Sequence, residues 1–251
     1  MGIKKNLKKF IGLKNDSPSL TVVGVGPGDY SLLTIAAVQA IKKAKVIVFP
    51  ISSDENKSSA AEIVKKYIKF KKKIPIIFPM ARQEFDPDEI WSNAVEKIVK
   101  FIQNGESVVL LCLGDTSLFA SSSNILRLIK NNHAEIITKT VPGISSVSAA
   151  AALNDFDLVK KGETLIIKEC PSSNSELTSL IRESRSNKTV LAIMKIGKRW
   201  KLVRETLKKE DIINKSLIAL NVGMPNQIIK YASQYEKDVM PYFSLILIRF
   251  D

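Results

Sequence analysis

From Leu20 onward, short apolar runs alternate with longer stretches of helical spacing, and this alternation restricts the fold more than any other feature of the chain. Runs at 20–24, 46–49, 74–78, 107–112 and 135–140 have strand length and are apolar on successive residues, as in strands covered on both faces. Stretches at 32–43, 58–69, 89–104 and 118–130 lie between them with helical periodicity. One of these carries clear punctuation. Asp86 is a cap candidate, Pro87 suits the first helical position, and Asp88 and Glu89 favour the positive end of the helix dipole. Asn104-Gly105 then marks its stop. Five strands separated by helices predict a parallel α/β sheet.

After Pro142-Gly143 the texture changes. Ser145 to Leu153 reads as a helix of small residues. Strands at 163–167, 189–194, 216–222 and 243–250 alternate with helices at 175–185 and 198–208, and 227–232 reads equally as a short strand or a helix start. The chain is therefore expected to hold two α/β domains, 20–143 with a parallel sheet and 144–251 with a mixed sheet, behind a basic extension at 1–19. In that extension Lys4, Lys5, Lys8, Lys9 and Lys14 precede the first acid, Asp16. Ile3, Leu7, Phe10 and Ile11 would share one helical face, so a frayed terminus and a basic surface helix both fit.

Hydrophobic residues make up 45% of the 251, enough for a real core. No apolar run reaches the length of about 18 residues that a membrane span needs, and lysines interrupt the first apolar run where a secretory signal would be continuous. Cys112 and Cys170 are isolated and His133 is the single histidine. Neither a zinc site, a disulfide framework nor a Ser-His-Asp arrangement is expected from such a set, no metal is expected, and a reducing cytoplasm fits. The formal charge of +13 has two readings: an acidic partner or substrate, or lysines on solvated faces. No nucleic-acid motif accompanies it, so a nucleic-acid partner is not expected.

Three loops directly follow predicted strands. Gly24-Val-Gly-Pro-Gly-Asp29 leaves the first strand and leads toward a helix for which Ser31 is a plausible cap. It fits neither G-x-G-x-x-G, since Asp29 stands where the last glycine belongs, nor a phosphate loop ending in G-K-[ST]. Leu113-Gly-Asp-Thr-Ser-Leu-Phe119 leaves the fourth strand, with Asp115 and Thr116 able to cap the helix after it. Thr140-Val-Pro-Gly-Ile-Ser-Ser146 leaves the fifth. Open α/β sheets bind small molecules at the carboxyl ends of their strands, and three glycine-bearing turns could converge there. A tight strand exit with no ligand explains each loop taken singly.

In order and spacing, Gly24–Asp29, Gly114-Asp115 and Val141-Pro-Gly-Ile-Ser145 resemble the tetrapyrrole methyltransferase family, from about Leu20 to the C-terminus. Ile193-Met-Lys-Ile-Gly-Lys-Arg-Trp-Lys-Leu-Val-Arg204 and Pro241-Tyr-Phe-Ser244 are similar to its branch that methylates precorrin-2 at C20. The resemblance implies two α/β domains with S-adenosylmethionine held in a cleft between them, a corrin-precursor substrate (precorrin-2 or cobalt-precorrin-2) and a homodimer. It implies cofactor contacts at Pro27, Leu113, Gly114, Asp115, Ser145, Ser146 and Met194, with a backbone contact near Val222. Thr116 stands where the family commonly has proline, Phe119-Ala120 replaces an aromatic-glycine or aromatic-tyrosine step, and Asn221–Gln227 is shorter and less acidic than the family's loop.

Methyl transfer of this kind needs alignment of donor and acceptor and no covalent nucleophile. The proton that leaves the methylated carbon needs an acceptor, for which Asp115 is a candidate by location alone; the catalytic residues are otherwise unassigned. A polycarboxylate substrate would suit Lys195, Lys198 and Arg199, which follow Met194. The same three residues are also ordinary for a solvated helix start. Other readings are a family member acting on another ring position or on a macromolecule, and, from a different class, a basic α/β protein that binds nucleic acid or a membrane surface.

Overall fold

Alternate residues of the first apolar run go to opposite faces of a sheet, as the two-residue period of a strand requires. The computed structural model describes residues 17–51, 58–77 and 87–250. These divide between Ser145 and Ser146 into two compact units. The lysine-rich segment up to residue 16 and the Asp86 cap lie outside the described residues.

The first unit contains β1 (Ser19–Gly24), α1 (Ile35–Lys43), β2 (Val46–Ile51), α2 (Ser59–Ile63), α3 (Lys65–Ile68), β3 (Lys72–Ile77), α4 (Pro87–Gln103), β4 (Val108–Cys112), α5 (Ser122–Asn132) and β5 (Ile137–Val141). Its five strands pair in parallel in the order β3-β2-β4-β1-β5, the parallel sheet that the alternation predicts. Leu20, Val22, Val108, Leu110 and Cys112 pack with Trp91, Val95 and Ile98 of α4 and Ile125 and Ile129 of α5. Val23, Val109 and Leu111 face the other way, onto Ala37 and Ile41 of α1 and Ile63, Val64 and Ile68. Burial on both faces is why these strands lack polar alternation.

Three sequence expectations need correction here. Ser31 caps no helix: it lies in a 3₁₀ turn at Tyr30–Leu32 that Asp29 caps, its Oδ1 accepting the Ser31 N–H at 2.7 Å. Thr34 caps α1 instead, accepting the Ala37 N–H at 3.1 Å. The helix expected over 58–69 breaks in two at Val64, whose φ of −104° and ψ of 9° interrupt the helical ladder. The helix expected from 118 starts at Ser122, because Phe119 has φ +50°, which a right-handed helix does not admit. Asp115 and Thr116 therefore do not cap it.

The second unit contains α6 (Ser146–Ala152), β6 (Thr164–Glu169), α7 (Asn174–Ser186), β7 (Thr189–Met194), α8 (Trp200–Lys209), β8 (Ser216–Leu220), β9 (Ile228–Tyr231) and β10 (Ser244–Ile248). The order is β6-β7-β10-β8-β9, with β6 and β7 parallel and the other pairs antiparallel. This is the mixed sheet expected, and the ambiguous stretch 227–232 supplies strand β9. Leu191, Ile193, Ile218, Leu220, Ile246 and Ile248 pack with Leu177 and Ile181 of α7 and with Trp200, Val203 and Leu207 of α8. Trp200 is wholly buried; its Nε1–H donates to the Lys237 carbonyl at 3.0 Å, and its ring meets Tyr235 edge-on at 5.8 Å. That anchor fixes the start of α8 and, with it, the turn that leads there from Met194.

Candidate functional site

In the first unit the strand register brings the three loops together. Gly24 lies beside Cys112 across β1–β4, and Val23 lies beside Val141 across β1–β5, so all three exits leave the same edge of the sheet. Pairing continues beyond β1: the Val25 N–H donates to the Cys112 carbonyl at 2.9 Å, and Gly26 and Gly114 exchange two backbone hydrogen bonds, at 3.2 and 2.8 Å. Gly26 and Gly114 have φ of +77° and +74°, a backbone that glycine adopts without a side-chain penalty.

Close approach explains the other two glycines. A Cβ on Gly143 would lie 2.1 Å from the Gly114 carbonyl oxygen, and one on Gly24 would lie 2.5 Å from the Gly143 nitrogen. The three loops thus touch through bare backbone. Asp115 fastens them. Its Oδ1 accepts from the Ser117 N–H at 2.9 Å and from Ser117 Oγ, while Oδ2 accepts from the Gly143 N–H at 2.9 Å. Burial pushes the Asp115 carboxyl up, but the bonds from the Ser117 hydroxyl and the N–H groups of Ser117, Gly143 and Thr116 outweigh it and hold the group below its ordinary range. A carboxylate so engaged is a poor proton acceptor, and it acts as the strut of the loop cluster.

Gly114 differs from its neighbours in one respect. A Cβ added there meets nothing within 4 Å. The same glycine that packs its carbonyl against Gly143 leaves the Cβ side of its backbone unobstructed. Pro27 is buried directly after Gly26, Leu113 is half-buried directly before Gly114, and Ser145 is half-buried two residues after Gly143. Pro27, Leu113, Gly114, Asp115 and Ser145 accordingly gather in this unit.

Ser146, Met194, Lys195, Lys198, Arg199 and Val222 belong to the second unit. Ser146 opens α6. Met194 ends β7 opposite Leu245, and Leu220 ends β8 opposite Ser244, so β10 starts between the two exits. Lys195 and Gly197, with φ of +57° and +45°, turn the chain away from β7. The Gly197 N–H donates to Ser244 Oγ at 2.9 Å and locks this turn to the start of β10. Val222 follows Asn221, which has φ +49° and donates its N–H to the Phe243 carbonyl at 2.8 Å.

The three basic candidates have different surroundings. Lys195 Nζ lies 3.6 Å from Glu169 Oε2. Lys198 is exposed. Arg199 lies by the Cys170 thiol, which burial pushes up and the guanidinium partly draws back. Cys112 and Cys170 are buried free thiols, and His133 closes α5 with Nδ1 3.6 Å from Glu135. Among the described residues there is no group of three or more His, Cys, Asp or Glu that could hold a metal ion, and no helix is long and apolar enough to cross a membrane.

Gly24, Gly143, Asn221 and Ser244 escape a reading of the sequence as site residues. For Gly143 the signal is only its place in a proline-glycine turn after a strand. For Asn221 it is only that asparagine tolerates the left-handed backbone it adopts after β8.

The sequence model described as Tetrapyrrole (Corrin/Porphyrin) Methylases matches residues 19–236. A protein of Methanocaldococcus jannaschii named "Probable cobalt-precorrin-2 C(20)-methyltransferase" is 38% identical over 145 residues, covering 58% of this chain and 61% of that protein. The cobalamin biosynthesis protein CobIJ of Mycobacterium tuberculosis is 25% identical over 236 residues, covering 90% of this chain and 45% of that protein. The chain thus matches between about half and three-fifths of the length of these relatives. The crystal structure of a cobalamin biosynthetic enzyme, cobalt precorrin-4 methyltransferase, superposes with a TM-score of 0.70 over 92% of this chain and 95% of that one, at 17% identity, which is a likeness of fold.

Proposed function

The chain belongs to the tetrapyrrole (corrin/porphyrin) methylases, and from that premise we propose that it transfers a methyl group from S-adenosylmethionine to C20 of precorrin-2 or its cobalt complex in corrin ring assembly. The observation that carries this reading is the Gly24–Gly114–Gly143 contact at the carboxyl edge of the parallel sheet, with Gly114 open on its free side. The archaeal relative's name supports the C20 position and the cobalt-loaded form. A homodimer and a cytoplasmic location complete the proposal, the latter favoured by two free thiols with no partner cysteine.

When bound, S-adenosylmethionine supplies a methyl group already activated by its sulfonium. The protein's task is then to align the two reactants and keep water away. In this reading Pro27, Leu113, Gly114, Ser145, Ser146, Met194 and the backbone near Val222 are the proposed contacts of the donor. Asp115 holds the loops at fixed spacing while staying ionised. Lys198 and Arg199, with Lys195, meet carboxylates of the acceptor through charge-assisted hydrogen bonds.

Calorimetry with S-adenosylhomocysteine tests the donor site. Gly114→Val should abolish binding by filling the open approach. Gly105→Val imposes the same kind of backbone strain, at φ +79° with nothing within 4 Å, in a remote turn. It should bind as the parent protein does. Equal binding by both variants would remove Gly114 from the site.

A further inference from the structure

We propose that Tyr242 and Phe243 form the surface on which the ring face of the methyl acceptor stacks, and so help decide which acceptor is taken. The inference rests on the function proposed above. The two rings meet edge to face, with centroids 5.2 Å apart and planes at 75°. They are 48% and 39% exposed, and neither belongs to the apolar cluster of their unit, which takes Tyr235 and Met240 from the same stretch. The core therefore does not account for them.

Their backbone is nevertheless held in place. The Phe243 carbonyl accepts from the Asn221 N–H at 2.8 Å, the Tyr242 carbonyl accepts from the Ser244 N–H at 2.9 Å, and Ser244 Oγ accepts from the Gly197 N–H at 2.9 Å. In the turn that this frame holds, Lys195 keeps a left-handed backbone that its side chain disfavours. Such strain persists where the surroundings over-determine it, commonly at ligand sites. The frame holds the backbone of the two rings directly before β10, at the sheet edge where β7 and β8 end.

The chemistry matches a broad, partly unsaturated macrocycle with carboxylates at its rim. Exposed aromatic faces stack on such a ring with little demand on its orientation. Lys198 and Arg199 follow the same turn and suit the rim. A small acceptor without a ring face would gain nothing from the pair.

The test compares Tyr242→Ala/Phe243→Ala with the ring-keeping swap Tyr242→Phe/Phe243→Tyr. Precorrin-2 binding is followed by absorbance in the presence of S-adenosylhomocysteine, donor-product affinity by calorimetry, molar mass by light scattering and folding by melting temperature. The double alanine variant should bind precorrin-2 about 10- to 100-fold more weakly, as loss of one to two stacking contacts implies. Its affinity for S-adenosylhomocysteine and its molar mass should match the parent's, and the swap should bind precorrin-2 normally. If the alanine variant fails to fold, Tyr242→Leu/Phe243→Leu, which keeps apolar volume and removes the rings, carries the same expectation. Unchanged precorrin-2 affinity overturns the proposal while leaving the methyltransferase reading intact. Loss of S-adenosylhomocysteine affinity instead would assign the rings to the donor, and a changed molar mass would assign them to an interface between copies; both overturn it. A parent protein that binds S-adenosylhomocysteine but no precorrin-2 overturns the acceptor assignment itself.

Discussion

The carboxylate of Asp115 accepts the backbone N–H of Gly143 at 2.9 Å, tying the exit of β4 to the exit of β5 across 28 residues of sequence. Because Gly143 in turn packs bare backbone on Gly114 and Gly24, one side chain sets the spacing of three loops.

Asp115→Asn should weaken that strut in a pH-dependent way. The folded carboxyl titrates below its ordinary value of 3.8. Its contribution to stability is therefore full above that value and is lost as pH falls through the lower, folded value. Urea denaturation should show the variant less stable than the parent by about 1–3 kcal/mol from pH 5 to 8, with the gap closing below about pH 4. A gap that stays constant down to pH 3 would mean that the carboxylate is not what holds the loops.

Gly143→Ala should be far costlier than Gly105→Ala. At Gly105 an alanine meets nothing and suffers only its φ of +79°, worth about 1–2 kcal/mol. At Gly143 the methyl would lie 2.1 Å from the Gly114 oxygen, so the loops must part. Melting curves should rank the two variants in that order, and only Gly143→Ala should lose S-adenosylhomocysteine binding. Equal melting temperatures would show that the loops yield easily.

Lys195→Ala/Arg199→Ala should raise the Michaelis constant for the tetrapyrrole by about tenfold or more, since charge-assisted bonds contribute about 1.5–3 kcal/mol each. S-adenosylhomocysteine affinity should change little. Alanine inherits the left-handed backbone at 195 at no greater cost than lysine, so the melting temperature should drop only modestly. Tetrapyrrole kinetics at the parent level in a folded variant would make this cluster an ordinary helix start.

Much of the fold can be read in the chain because the strands are buried on both faces. Successive apolar residues such as Val108 to Leu111 declare this directly. Loop chemistry is less legible. Ser31 and Thr34 are both plausible caps, and the choice falls to Thr34 because Ser31 lies inside the 3₁₀ turn and extended backbone at Leu33 separates it from the helix. Asp115 reads as a helix cap until Phe119 takes φ +50° and delays the helix to Ser122. The candidate site is legible as three glycine-bearing strand exits. The closeness of Gly24, Gly114 and Gly143 is a long-range fact that no local pattern carries. Left-handed Lys195 is silent in sequence, because the penalty it bears is imposed by the surrounding turn.

The account stands or falls most directly on product analysis. Purified protein is incubated with S-adenosylmethionine carrying a labelled methyl group, together with precorrin-2 or its cobalt complex. The product is then examined by mass spectrometry and NMR. The predicted product is one methylene unit heavier than the acceptor, since a methyl enters and a proton leaves, with the labelled carbon on C20. A folded protein that binds S-adenosylhomocysteine yet leaves both acceptors unchanged, or one that places the label on another ring position, would contradict the account.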